Sequence, residues 1–259
     1  MITVIKIGGN VIDDETALKV FCERFAAMPG LKVLVHGGGV AASRLQKSLG
    51  QEPRMVEGRR VTDSDALEAV TMAYAGWCNK HICALLQSAG CNAIGLSGCD
   101  ASVITAKKRP PISLSDGSVQ DYGFVGDVTP ASVNAGILEK FIGLGLVPVL
   151  CAINHDGKGL LLNTNADTVA ASVASALKAE LVCCLELPGV LSDIADKGSV
   201  MKCISSDTFE SMKKDGSIAG GMIPKISNCL RALREGASSA RITGSESFGK
   251  AGAGTEVVL

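Results

Sequence analysis

Residues 2–9 read ITVIKIGG and residues 31–39 read LKVLVHGGG. Each is a run of Val, Ile and Leu that is too short for a helix, rich in β-branched residues, and closed by glycines. Both read as buried strands that turn directly into a Gly-rich loop. Runs of the same kind recur at 92–96 (NAIGL), 146–151 (LVPVLC) and 181–187 (LVCCLEL). Helical patterns lie between them, from 14–18 to 28 and over 39–49, 63–89, 130–143, 165–178 and 220–236. Strand–helix alternation of this kind favours an α/β fold with a mainly parallel sheet covered on both faces.

Two stretches break the rhythm, 101–128 and 149–163. Each holds a Gly-containing turn between extended segments, SDGS at 115–118 and HDGK at 155–158, which is a hairpin signal. No repeat, low-complexity segment or Pro/Ser linker divides the 259 residues. One continuous fold is expected, with a soft boundary that makes 1–162 an N-terminal lobe and 163–259 a C-terminal lobe.

Composition narrows the function. The formal net charge is -1 and no basic run occurs, which argues against a nucleic-acid surface. No apolar stretch approaches the roughly 20 residues of a membrane helix. A signal peptide's basic start and apolar middle are both missing, so a cytoplasmic location is expected. The ten cysteines are irregularly spaced without a C-x-x-C pair, and only three histidines accompany them. Reduced thiols are expected, and no structural zinc site. Cys83, Cys91, Cys151, Cys183 and Cys184 fall in apolar segments, where a free thiol packs as a small hydrophobe.

The glycine turns carry the first chemical signal. Gly37, Gly38 and Gly39 follow a strand and open a helix, so backbone N–H groups and the helix dipole can meet an anion. The spacing is neither G-x-G-x-x-G, since position 42 is Ala, nor a Walker A loop. Lys6 stands just before Gly8 and Gly9 at the end of its strand, where ligands of open α/β sheets bind. It is either an anion ligand or a snorkelling strand-end lysine. Asn163, Thr164, Asn165 and Asp167 cluster before an Ala/Val helix, as caps or as site residues. Gly220 and Gly221 precede another helix with Lys225 four residues on, a pattern that suits phosphate but also an exposed lysine.

Taken in order, K-x-G-G at 6–9, H-G-G-G at 36–39, G-x-R-V-T-D at 58–63, N-x-N-A-D at 163–167 and G-G-M-x-x-K at 220–225 resemble the amino acid kinase family. The resemblance runs from IKIGG to the closing GTEVVL. It implies a three-layer αβα sandwich around a mainly parallel eight-stranded sheet, the carbamate kinase-like fold. It also implies ATP-dependent phosphorylation of the γ-carboxylate of N-acetyl-L-glutamate, or of another N-acylglutamate such as N-succinylglutamate, a step of arginine biosynthesis. The N-terminal lobe would hold the acylglutamate and the dimer contact, and the C-terminal lobe the nucleotide.

Position by position, the resemblance makes Lys6 and Lys225 the catalytic lysines and Asp167 the acid that orients both. Gly38, Gly39, Arg60 and Asn163 would bind substrate, Arg60 through its α-carboxylate. Gly8, Gly9, Glu186, Gly189, Gly220, Gly221 and Met222 would bind ATP. Mg²⁺ would be held mainly by the ATP phosphates, with no protein metal site. Departures from the family pattern are Glu186 for an Asp, Cys99 for a lysine and Arg59 for a leucine. Arg59 is expected to face solvent, the default for arginine; otherwise it would pair with a further carboxylate on the acyl group. Arginine-inhibited members carry a helix before the first strand, whereas here the strand starts at Ile2. The expectation is therefore an arginine-insensitive homodimer, paired through helix 63–89, with neither nucleic-acid nor membrane partners. A dinucleotide oxidoreductase would need the absent G-x-G-x-x-G, and a non-catalytic anion binder would not need both lysines and Asp167.

Overall fold

The computed structural model describes residues 1–259 apart from 115, 219 and 251. The turn at 115–118 and the stretch IAGGM at 218–222 each include one of those three positions. Eight strands form one sheet: β1 (Ile2–Ile7), β2 (Leu31–His36), β3 (Ala93–Leu96), β4 (Val147–Cys151), β5 (Glu180–Leu185), β6 (Cys203–Ser205), β7 (Ser239–Gly244) and β8 (Thr255–Val258). Their order across the sheet is β6-β8-β7-β5-β1-β2-β4-β3. All pairings are parallel except β7 with β8. Nine α-helices among the described residues cover the sheet: α1 (Gly9–Asp13), α2 (Glu15–Ala27), α3 (Gly39–Ser48), α4 (Ser64–Thr71), α5 (Asn79–Ser88), α6 (Ala135–Gly143), α7 (Ala166–Ala176), α8 (Ser206–Lys214) and α9 (Met222–Arg234).

The near-continuous apolar runs of the strands follow from burial on both faces. Along β1, Val4 packs into one core while Ile5 and Ile7 pack into the other. Val33 and Val35 of β2 join the first and Leu34 the second. The first core is closed by Leu138 of α6, Val169 and Val173 of α7, and Ile226 and Leu230 of α9. Leu18, Phe21 and Phe25 of α2 and Ile82 and Leu86 of α5 close the second. Helix, sheet and helix thus form the expected three layers. The sheet is unbroken, because β1 pairs with both β2 and β5.

The helical stretch expected over 63–89 is one path with an irregular middle. It begins as α4, capped by the Asp63 carboxylate that accepts from Ala66 N, widens into a π turn over Met72–Cys78, and continues as α5. The segment from 130 starts as a single tight turn, and α6 begins at Ala135 after Asn134, whose side chain accepts from Ile137 N. The run at 181–187 leaves the sheet at Leu185, which puts Glu186 and Leu187 in the loop beyond it. Both interrupting stretches contain the expected hairpins, with Ile112–Ser113 against Val119–Gln120 and Ile153–His155 against Leu161–Asn163. All ten cysteines are free; Cys91, Cys151, Cys183 and Cys184 are buried and Cys83 only partly so.

One buried charge is structural. Lys32 at the start of β2 donates to the carbonyls of Phe25 (2.6 Å), Ala26 (2.9 Å) and Met28 (2.6 Å), which close the C-terminal end of α2. An ammonium there meets last-turn carbonyls, of which Phe25 O also accepts from Met28 N, and the negative end of the dipole.

Candidate active site

The carboxyl ends of β1, β2 and β5 lie side by side, and the two glycine turns leave from the first two. Gly8 precedes α1 and Gly38 precedes α3, neither with a side-chain cap, so the first N–H groups of both helices remain free for a ligand. Gly38 has φ 152°, and a Cβ built there would stand 2.9 Å from both Tyr74 Cδ1 and Cys78 Sγ. Only glycine allows the turn to lie that close to the π segment.

Two cavities open at these ends. One, of about 240 Å³, is lined by Gly38, Gly39, Arg59, Arg60, Asn163 and Asp167, among others. The other, of about 420 Å³, is lined by Gly8, Glu186, Gly221, Met222 and Lys225, among others. Lys6 and Gly9 line both. Lys6 is 7% exposed and forms an ion pair at 2.7 Å with Asp167 in the first turn of α7. This answers how strand β1 can carry a buried ammonium: a carboxylate from the helix packed beside it compensates the charge.

Arg60 is buried and held in place. Its guanidinium donates to Gly39 O (2.9 Å), to Ser43 Oγ (2.7 Å) and to Gln46 Oε1, all on α3. Asn163 donates through Nδ2 to Thr62 Oγ1 at 3.1 Å, and Thr62 sits in the same R-V-T-D stretch as Arg60. Asn165 is the cap of α7, accepting from Thr168 N at 3.0 Å. The polar cluster at 163–167 therefore lines the cavity throughout, and Asn165 serves in addition as the helix cap.

His36 is fully buried at the end of β2. Asn79 Nδ2 donates to His36 Nε2 (3.0 Å) and to Val149 O (2.9 Å), which leaves Nδ1–H to donate to Gly37 O at 2.7 Å. Burial lowers its pKa from 6.5 to about 4, so the imidazole is neutral and acts as a strut under the glycine turn.

Not every expected residue converges. Asp167 pairs with Lys6 alone; Lys225, on α9, instead donates to Gly221 O at 3.0 Å. Gly189 lines neither cavity, and a Cβ there would meet Thr255 Oγ1 and Val200 Cγ1 at 2.8 Å, so its role is close packing against β8. Gly220 also lines neither and takes φ 57° in the turn that leads to α9. Cys99 is exposed and outside both cavities. Arg59 does not face solvent as expected. It is half-buried in the wall of the first cavity beside Met55 and Gly58, and burial followed by the nearby Arg109 charge lowers its pKa. Asp127, a carboxylate whose charge acts on Arg59, is already engaged by Arg109 Nε at 3.2 and 3.1 Å. Tyr74, Gln46, Ser43 and Asn79 support the site without a sequence signal, since each acts through a contact made only in the fold.

The Amino acid kinase family model matches residues 1–244. An acetylglutamate kinase of Cytophaga hutchinsonii is 48% identical over 95% of this chain and 92% of its own length. An acetylglutamate kinase of Phocaeicola vulgatus is 47% identical over 93% of each chain. Among solved structures, a Streptococcus mutans protein superposes with a TM-score of 0.77 at 28% identity, covering 99% of this chain and 98% of the other.

Proposed function

The chain belongs to the amino acid kinase family, and from that membership we propose that it transfers the γ-phosphoryl group of ATP to the γ-carboxylate of N-acetyl-L-glutamate. The products are ADP and N-acetylglutamyl 5-phosphate. The observation that carries the reading is the pair of cavities that meet at Lys6 and Gly9, one lined by Arg60 and Asn163, the other by Glu186 and Lys225. One suits a small dicarboxylate and the other a nucleotide, and their shared border is where a phosphoryl group would pass.

The nucleophile is a carboxylate, ionised at neutral pH, so the reaction needs no general base. The difficulty is bringing one anion against another. Lys6 and Lys225 supply positive charge on the two sides of the transferring group, Asp167 holds the Lys6 ammonium in place, and the turns at Gly8–Gly9 and Gly38–Gly39 supply N–H donors. Catalysis then consists of in-line positioning and charge stabilisation. Among the described residues no cluster of three or more His, Cys, Asp or Glu side chains could cage a metal. As the family resemblance implies, Mg²⁺ would be held chiefly by ATP phosphates, where it would neutralise their charge. The division of labour, with acylglutamate in 1–162 and nucleotide in 163–259, is part of the proposal, as is a homodimer paired along residues 63–89. Met72 and Trp77 on that path are exposed apolar side chains, the latter 63% exposed.

Arg59 favours a second substrate. The γ-carboxylate has to lie at the Lys6 end and the α-carboxylate at Arg60. A half-buried guanidinium without a hydrogen bond or ion pair to another described residue then remains in the cavity wall. N-succinylglutamate, with a carboxylate at the end of its acyl group, would engage it. A hydroxamate-coupled assay with ATP and Mg²⁺ tests both readings. Turnover of neither acylglutamate removes the function. Arg59→Leu should lower kcat/KM for the succinyl substrate by about 10²-fold and leave the acetyl substrate within a few-fold; equal effects on the two remove the second reading.

A further inference from the structure

We propose that Tyr74 is a substrate-binding residue whose phenol donates a hydrogen bond to the carboxylate attracted by Arg60, so that a guanidinium and a hydroxyl together hold the substrate's α-carboxylate. This rests on the reading that the cavity at Arg60 takes an N-acylglutamate.

Three observations carry it. First, the ring is fixed. Tyr74 lies in the π turn at Met72–Cys78, an unusual geometry that recurs at functional sites. Its Cδ1 stands 2.9 Å, and its Cε1 3.3 Å, from where a Gly38 Cβ would be, so it packs directly against the loop backbone. Second, the hydroxyl faces the cavity. Tyr74 is 8% exposed and lines the wall with Arg60 and Asn163, and its oxygen is 3.8 Å from the Cβ position of Gly39. Third, its proton is uncommitted. Arg60 lines the same wall, and its positive charge acts on the phenol oxygen. A guanidinium only donates, so it cannot take the phenol's proton. No acceptor for the phenol hydrogen is present among the described residues. Burial raises the Tyr74 pKa further above its ordinary value of 10.0, so the group is protonated at neutral pH.

A protonated hydroxyl beside Arg60, with no acceptor among the described residues, is complementary to an anion bound by that same arginine. Its ring contacts restrict rotation, so little conformational freedom is lost on binding. Gly39 O and Ser43 Oγ both accept from Arg60 Nη2 and Gln46 Oε1 accepts from Nη1, so much of the fork is committed to α3 and a second donor to the carboxylate is useful.

The test is Tyr74→Phe, which removes one oxygen and keeps the ring that Gly38 packs against. KM for N-acetylglutamate should rise about 10–100-fold, the range for a hydrogen bond to a charged group. KM for ATP and the unfolding midpoint should stay near wild type. N-acetyl-4-aminobutyrate keeps the amide and the terminal carboxylate but lacks the α-carboxylate; its inhibition constant against N-acetylglutamate should change less than about twofold. Unchanged KM for N-acetylglutamate, a parallel rise in KM for ATP, or an equal weakening of the analogue would each overturn the assignment. A wild-type chain that phosphorylates no acylglutamate removes the parent reading instead, a result distinct from an active enzyme indifferent to Tyr74→Phe.

Discussion

Lys6 and His36 lie at the carboxyl ends of neighbouring strands, His36 one register step beyond Lys6, yet only one of them has a carboxylate partner. Lys6 has Asp167 at 2.7 Å beside the transfer site. Replacing it with alanine should lower kcat by about 10²–10³, the usual effect of losing one preorganised charge, with a much smaller change in KM for the acylglutamate; steady-state kinetics on Lys6→Ala check this. His36 has no carboxylate partner and is held neutral, with its pKa lowered from 6.5 to about 4 by burial. The unfolded chain therefore binds more protons than the folded one between those values. Stability should fall as pH drops from about 6.5 towards 4, by up to about 3 kcal/mol from this one group. Unfolding midpoints of wild type and His36→Gln across that range should converge as pH falls. Lys6 and Asp167 were legible because glycines and a helix start flank them in the sequence. Tyr74 and Asn79 were not, because their partners are Gly38 and His36, which lie far from them along the chain.

At the scale of elements, the strands with unbroken β-branched runs could be read directly, and β7 could not. Its sequence SARITG carries an arginine in the middle of a strand otherwise buried at Ala240, Ile242 and Thr243. The short helix α8 was equally silent, since Phe209 is its one buried residue. The π turn inside 63–89 leaves no mark on hydrophobic periodicity, although it sets where Tyr74 points. Lys32 shows the converse, a charge that the sequence offers no reason to bury and that the fold uses as a clasp on α2. Lys32→Met would take the ammonium donor from three carbonyls, of which Phe25 O keeps the Met28 N–H, at a cost of about 1–3 kcal/mol. Denaturant titration should show that loss while KM for both substrates stays unchanged, because α2 contributes nothing to either cavity wall.

For the whole molecule, the order of layers followed from strand–helix alternation, whereas the position of β1 between β2 and β5 depended on which strands pair, a property of topology that periodicity does not encode. The exposed indole of Trp77 and the thioether of Met72 stand on the outer side of the helical path. If that path is the pairing surface, a charge placed there would be buried without compensation on association. Trp77→Glu should sediment as a monomer where wild type sediments as a dimer; a wild-type monomer at micromolar concentration would refute the assembly.

The shared border at Lys6 and Gly9 also fixes the order of events in time. The two cavities share Lys6 and Gly9 as lining, and among the described residues neither of these is a side-chain nucleophile that could carry a phosphoryl group; Asp167, the acid beside Lys6, is ion-paired with it. Both substrates must then be present together before either product forms. Initial velocities should give intersecting, not parallel, double-reciprocal lines, and no exchange of label between ADP and ATP should occur until acylglutamate is added.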